Sequence, residues 1–234
     1  MLNGDPLFRP YIPSDLQACA KLAEEAWPYG RAMFTAPSDI STMTGYIQST
    51  LIYSTWTEVV MTSGEIAGFL FGRIKGQKTS RSWLRSMRED MGTFPRMLFA
   101  RNIKPGKALK MLFGISMTEL KVAVNRPRSD AEIELLIVAG AHRGSGIGKR
   151  LVDRFVEAAR RAGASVITVY TDDKTSNWQF YERYGFKKVA TFYDNVSSYF
   201  ADVDSNGLIY ALDVKGRMGP DTSENEVDEL QTQG

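Results

Sequence analysis

The 234 residues suffice for one domain with a sizeable core, and a composition of 43% hydrophobic and 24% charged residues is that of a globular protein. One cysteine (Cys19) and one histidine (His142) exclude a disulfide framework, a multi-cysteine metal centre and an imidazole-built zinc site. A net charge of +2 selects no partner. No secretory signal precedes the first elements, and no run of about 18 apolar residues offers a spanning helix, so a cytoplasmic protein is expected.

"PLFRPYIPSDLQACAKLAEEAW" reads as a short strand and then a helix capped by Ser14 or Asp15, with Leu16, Cys19, Ala20, Ala23 and Trp27 on its apolar face. Residues 30–55 read as a loop and a second helix. "TEVVMTSGEIAGFLFGRIKG" predicts a hairpin, Thr57–Met61 and Glu65–Ile74, turning at Ser63-Gly64. "AEIELLIVAG" (131–140) begins in alternation and becomes continuously apolar, as a strand covered on both faces does. A helix follows from 146, with Ile147, Leu151, Val152, Phe155, Val156 and Ala159 at helical spacing and Gly163 as its stop. "SVITVYT" is a strand, "NWQFYERY" a short helix ended by Gly185, and "KKVATFYD" and "NGLIYALDV" are two further strands. Strands alternating with helices give an α/β class.

Two segments stand apart. Residues 73–128 hold 14 Lys and Arg against three acids, a local excess of 11 positive charges, so the rest sums to −9. This stretch, also rich in Met, Leu and Phe, predicts amphipathic helices inserted between two strands over 76–130. Residues 216–234 carry five acids and few apolar side chains, the composition of a disordered tail. One domain is therefore expected over 1–215.

"HRGSGIGKRL" (142–151) packs three glycines and three Lys or Arg between a strand and a helix. It is not a Walker loop: Arg143 stands where the first glycine belongs, and Arg150 replaces the hydroxyl residue. Nor is it a dinucleotide fingerprint, because Leu151 occupies the last glycine position. Alternating glycines at a helix mouth let the backbone approach an anion, where free N–H groups and the helix dipole favour negative charge. Arg143 and Lys149 add mobile positive charge.

"IELLIVAGAHRGSGIGKRLVDRFVEAARRAG" resembles the acyl-CoA-binding segment of the GNAT superfamily of N-acetyltransferases, whose pattern after a strand is Gln/Arg-x-x-Gly-x-Gly/Ala, matched by Arg143, Gly146 and Gly148. The resemblance continues through a short helix ending in Tyr-x-x-x-Gly-Phe, here Tyr181, Gly185 and Phe186, and covers roughly 131–190. It implies a mixed central sheet of about seven strands with about four helices, besides the helical insertion. It further implies that Arg143, Gly144, Ser145, Gly146, Ile147, Gly148 and Lys149 hold the CoA pyrophosphate. Leu136, Ile137 and Val138 would pair with the pantetheine arm and aim backbone donors at the thioester oxygen.

Acetyl transfer needs a neutral amine, and a lysine-like amine of pKa about 10.4 is neutral at pH 7 only at a cost of about 4.6 kcal/mol. A carboxylate removes that proton as the complex forms. Glu132 and Glu134, two residues apart on the strand, are the candidates, with Glu134 slightly ahead. By resemblance Tyr181 returns a proton to the departing thiolate, while Asn177 caps its helix or bonds the pantetheine amide. His142 is read as a surface residue and Cys19 as core.

The acceptor side is expected in the first two helices and in "WPYGRAMFT" (27–35), with its aromatics and Arg31. The expected function is transfer of an acetyl group from acetyl-CoA to a primary amine of a small molecule or amino-acid derivative, directly within a ternary complex and without a metal. A non-catalytic acyl-CoA-binding sensor and a protein N-acetyltransferase stay open, as do a homodimer and the role of the basic insertion. Nucleic acid is not an expected partner, since the aromatics form no stacking array.

Overall fold

The computed structural model describes residues 5–27, 40–78, 105–201 and 203–215. The tail from 216, the 28–39 part of the aromatic acceptor segment and the 79–104 part of the basic insertion lie outside them. In chain order the elements are β1 (Leu7–Pro10), α1 (Leu16–Ala26), α2 (Ile40–Tyr53), β2 (Trp56–Thr62), β3 (Glu65–Ile74), α3 (Pro105–Asn125) and β4 (Ala131–Val138). Then come α4 (Ile147–Arg161), β5 (Val166–Asp172), α5 (Gln179–Tyr184), β6 (Lys187–Tyr193), α6 (Asn195–Ala201) and β7 (Asn206–Asp213).

The seven strands form one mixed sheet, ordered β1-β2-β3-β4-β5-β7-β6. Only β4 and β5 run parallel; every other neighbouring pair is antiparallel. One face carries α4, whose Ile147, Leu151, Val152, Phe155, Val156 and Ala159 are buried against Leu70, Ile74, Ile133 and Ile167. The other carries α1 and α2, whose Cys19, Ala20, Ala23, Met43 and Ile47 close over Phe69, Phe71, Leu135 and Ile137. Each fully buried Phe or Leu contributes roughly 1.5–3 kcal/mol relative to exposure. Gly72 lets α4 come this close, because a Cβ there would sit 2.4 Å from the Phe155 ring.

Two local expectations are corrected. Asp15 does not cap α1 with its side chain; its carboxylate turns back to accept from both Arg9 amino nitrogens (2.6 and 2.8 Å) and from the Ile12 amide (2.8 Å). A buried arginine fork outcompetes a cap because both partners are charged. Second, a helix, α6, stands between β6 and β7 where none was read. Its start is made by buried Asp194, which accepts from the amides of Val196 (2.9 Å) and Ser197 (3.1 Å). Within the described part of the insertion there is a single helix, α3, and it packs on the domain. Thr118 donates to Asp194 (2.9 Å), and Lys121 donates to the Tyr193 carbonyl (2.8 Å) and to Asn195 (2.7 Å).

Candidate active site

The middle of the sheet opens between its two parallel strands. β4 pairs with β5 only at Ala131, Ile133 and the residue between them, Glu132; beyond that the two diverge. β4 also carries a bulge: Phe71 lies opposite Leu135 and Gly72 opposite Ile133, so Glu134 has no partner across β3. After the bulge the strand stays bonded to β3, and Ala139 donates to Ala67 (2.9 Å). Since amides alternate along a strand, those of Leu136 and Val138 point into the opening while that of Ile137 points at β3. Of the three residues expected along a pantetheine arm, two therefore aim main-chain groups at the gap. Arg143 Nε lies 3.4 Å from the Val138 carbonyl at its far end.

The glycine loop lies directly after that strand. Gly140–His142 form a tight turn, His142 accepts from the Ser145 hydroxyl (2.6 Å), and Gly146 begins α4 with φ +83°. A side chain at such a φ is strained, and a Cβ at Gly144 or Gly146 would meet nothing within 4 Å, so the space beside both is open. Among the described residues no side chain caps α4, and the first-turn amides of Ile147, Gly148 and Lys149 have no intrahelical acceptor. Buried Ile147 anchors this turn. Exposed amides, open backbone and a helix N-terminus make a site that fits a pyrophosphate. Lys149 pairs with Asp153 (2.7 Å) one turn on, at an exposed position where the bond is easily exchanged.

The two glutamates differ sharply. Glu132 is buried and held by Arg126 (2.5 Å) and Arg73 (2.5 Å), which marks it as a structural anion. Among the described residues Glu134 pairs with the Arg73 Nε alone, at 3.2 Å. Burial, and then the charge of Glu132, raise its pKa to about 7 against the pull of Arg73 and Arg126. A carboxyl with that pKa is part ionised at neutral pH, as a general base should be.

Tyr181 is placed by α5, which ends at Gly185 with φ +113° so that Phe186 donates back to the Tyr181 carbonyl (2.9 Å). Its ring packs against Phe180, Phe186 and Tyr210. Burial raises its pKa, so it stays protonated at neutral pH. Asn177 does not cap α5 with its side chain; only its carbonyl takes part, accepting from Phe180 (3.0 Å). The turn before it is made by Asp172, which accepts from Lys174 (2.9 Å) and Thr175 (2.5 Å). His142 is half-buried and contributes to the loop through its backbone. Cys19 is fully buried, and burial pushes its thiol up to about 12, far from a nucleophile's range.

The sequence reading had missed the arginines. Arg73 follows Phe69 and Phe71 at two-residue spacing on β3, where the strand becomes exposed, and pairs with Glu132 of the next strand; that spacing was the available signal. Among the described residues no group of His, Cys, Asp and Glu is placed to hold a metal, and no helix is long and apolar enough to cross a membrane.

Residues 118–188, which contain the loop, the opening and the α5 tyrosine, match the acetyltransferase (GNAT) domain family model. No curated protein matches the chain. Solved structures do. An agmatine N-acetyltransferase variant in its apo form superposes with a TM-score of 0.56 at 17% identity, covering 89% of this chain and 99% of that one. An N-acetyltransferase from Staphylococcus aureus Mu50 gives 0.53 at 16%, covering 90% and 99%. An aminoglycoside 6'-N-acetyltransferase complexed with coenzyme A gives 0.53 at 14%, covering 91% and 99%. At these identities the structures speak for the fold alone, and the family model speaks for residues 118–188, the segment bearing the loop.

Proposed function

We propose that this chain transfers an acetyl group from acetyl-CoA to a primary amine of a small molecule, directly and within one ternary complex. The observation that carries the reading is the divergence of β4 from β5 beside an uncapped, glycine-lined helix N-terminus, with Glu134 at one side and Tyr181 packed on the short helix beyond. Two of the structural neighbours are named for amine acceptors, agmatine and an aminoglycoside, which supports an amine substrate. The domain is taken as residues 1–215, with α3 as an integral part.

The thioester supplies an activated acyl group; the chain's residues do the rest. Residues Arg143 to Lys149 hold the pyrophosphate through first-turn amides and side-chain cations. Glu134, ionised, takes a proton from the incoming ammonium and leaves a neutral nucleophile. One of the Leu136 and Val138 amides, about 7 Å apart along the strand, faces the oxygen on which negative charge grows as nitrogen bonds to the acyl carbon, and the other is left for the pantetheine arm. Tyr181 gives its proton to the departing sulfur as the carbon–sulfur bond breaks. Asn177, with no cap to maintain, is free to bond the amide of the pantetheine arm.

The test is calorimetric titration of acetyl-CoA followed by free-thiol release with a panel of amines. Saturable binding with thiol release on an amine establishes the reaction. Binding without turnover on any amine would favour a non-catalytic acyl-CoA sensor or a protein acceptor, and absence of binding would remove the loop assignment.

A further inference from the structure

We propose that Arg73 of β3 is the positioning residue of the Glu134 base: its guanidinium is anchored on Glu132 and holds the second carboxyl at the opening. The inference rests on the acyltransferase reading and deepens it by one residue.

The arrangement starts from the strand register. Arg73 lies directly across from Glu132 in the β3–β4 pair, whereas Glu134 is the residue that the bulge leaves without a partner. Opposite charges on cross-strand neighbours attract, so the register itself delivers the guanidinium to Glu132. There it meets a carboxylate that is already occupied. Arg126 comes in end-on, with Nη1 donating to Oε2 (2.7 Å) and Nη2 paired with Oε1 (2.5 Å). Arg73 adds Nη2, which donates to Oε2 (2.5 Å). Its Nε, the other prong on the same edge of the guanidinium, lies 3.2 Å from Oε1 of Glu134. An edge able to grip one carboxylate with two bonds is divided between two carboxylates.

The first consequence is placement. Glu132 is buried and fixed by two cations, and Arg73 passes that fixity on to Glu134, a side chain that would otherwise sample many rotamers. The second is charge, since a cation this close favours the ionised carboxyl. The charged and titratable groups around Glu134 are Glu132 beside it on β4, Arg73 on β3, Arg126 just past α3, Glu119 of α3 and Tyr46 of α2. Burial and then Glu132 push the Glu134 pKa up, with Glu119 adding least; Arg73 leads the opposing pull, ahead of Arg126. Tyr46, held up at about 12 chiefly by burial, is neutral in the working range. Arg126 is engaged end-on by Glu132, so Arg73 is the cation whose removal the base feels most.

The experiment follows the Glu134 side-chain carboxyl by carbon-13 NMR titration of the full chain labelled at glutamate, its signal being the one absent from Glu134→Gln. The pH profile of kcat/KM is measured alongside. In the wild type both turn near about 7. Arg73→Gln moves both midpoints up by about one unit, the low end for loss of a neighbouring opposite charge, because the guanidinium is half-exposed. At pH 7 its kcat/KM falls roughly fivefold and recovers by about pH 9, as the ionised fraction does. Arg73→Lys offers one ammonium, which the directly opposed Glu132 takes, and moves the midpoints the same way by about half as much. A residue that only supported the fold would lower the rate at every pH and leave both midpoints in place. Wild-type midpoints in Arg73→Gln, or in Arg73→Lys should the first variant not fold, overturn the proposal. The carboxyl titration needs neither CoA nor amine, so that outcome is distinct from failure of the acyltransferase reading, which shows as no thiol release from the wild type and removes both.

Discussion

The two ends of β4 are built from similar residues and behave in opposite ways. At the start, β4 is bonded on both edges, and Glu132 is closed in by two arginines. Two residues on, at the bulge, one edge is open and, among the described residues, Glu134 keeps a single longer ion pair. The contrast shows how one extra residue in a strand separates a carboxylate that holds the fold from one left available for chemistry. Pairing consumes a charge; a bulge releases one.

The sharpest way to break this contrast is to remove the released carboxylate. Glu134→Gln should lower kcat/KM about 100- to 10,000-fold, with unfolding curves close to wild type. In the wild type the rate should climb with pH through about 7 and then level off, because the base acts when ionised; the variant should lose that limb. Stability runs the other way. A carboxyl whose folded pKa is raised stabilises the fold below its unfolded value, and that advantage is lost as pH rises through about 7. Denaturation at several pH values checks the sign.

Removal of the held carboxylate should act on the fold instead. Glu132→Ala leaves Arg73 and Arg126 without their shared partner, and breaking a buried pair in this way costs about 3–5 kcal/mol. Chemical denaturation measures it, and a loss below about 1 kcal/mol would put Glu132 among the weakly coupled surface charges.

Two further variants sharpen the comparison on the β5 side and at the loop. Tyr181→Phe should lower kcat roughly tenfold to a hundredfold, at the lower end of general-acid contributions, with acetyl-CoA affinity unchanged. An unchanged kcat would return the ring to the core with Phe186 and Tyr210. At the loop, Gly146 is a poor probe because its φ of +83° makes any replacement strained. Ser145→Glu places an anion beside the same amides without that penalty and should weaken CoA binding by roughly tenfold, about 1.4 kcal/mol.

Much of the frame was legible in the residues. The α4 face, the β2–β3 hairpin and the α5 helix ending at Gly185 follow from periodicity and turn chemistry, which act locally. The misses share a cause: each depends on partners outside the element being read. Asp15 abandons its helix for Arg9, and the start of α6 rests on Asp194, tied in turn to Thr118 and Tyr170. The division of labour between Glu132 and Glu134 depends on a bulge whose register is set across β3 and on arginines 59 and six residues from Glu132. A period-two reading placed both glutamates on one face, but it carries no information about which would be clamped.

The order of the sheet bears on how the chain matures. β7, the last strand in chain order, does not lie at an edge; it is inserted between β5 and β6 and bonded along both. During vectorial synthesis, β5 and β6 are complete before the strand that joins them exists, so each waits with an unpaired edge until residues 206–213 emerge. The nascent half-sheet is therefore the aggregation-exposed stage, and a ribosome stalled before Asn206 would hold the glycine loop already synthesised on a fold that has not closed.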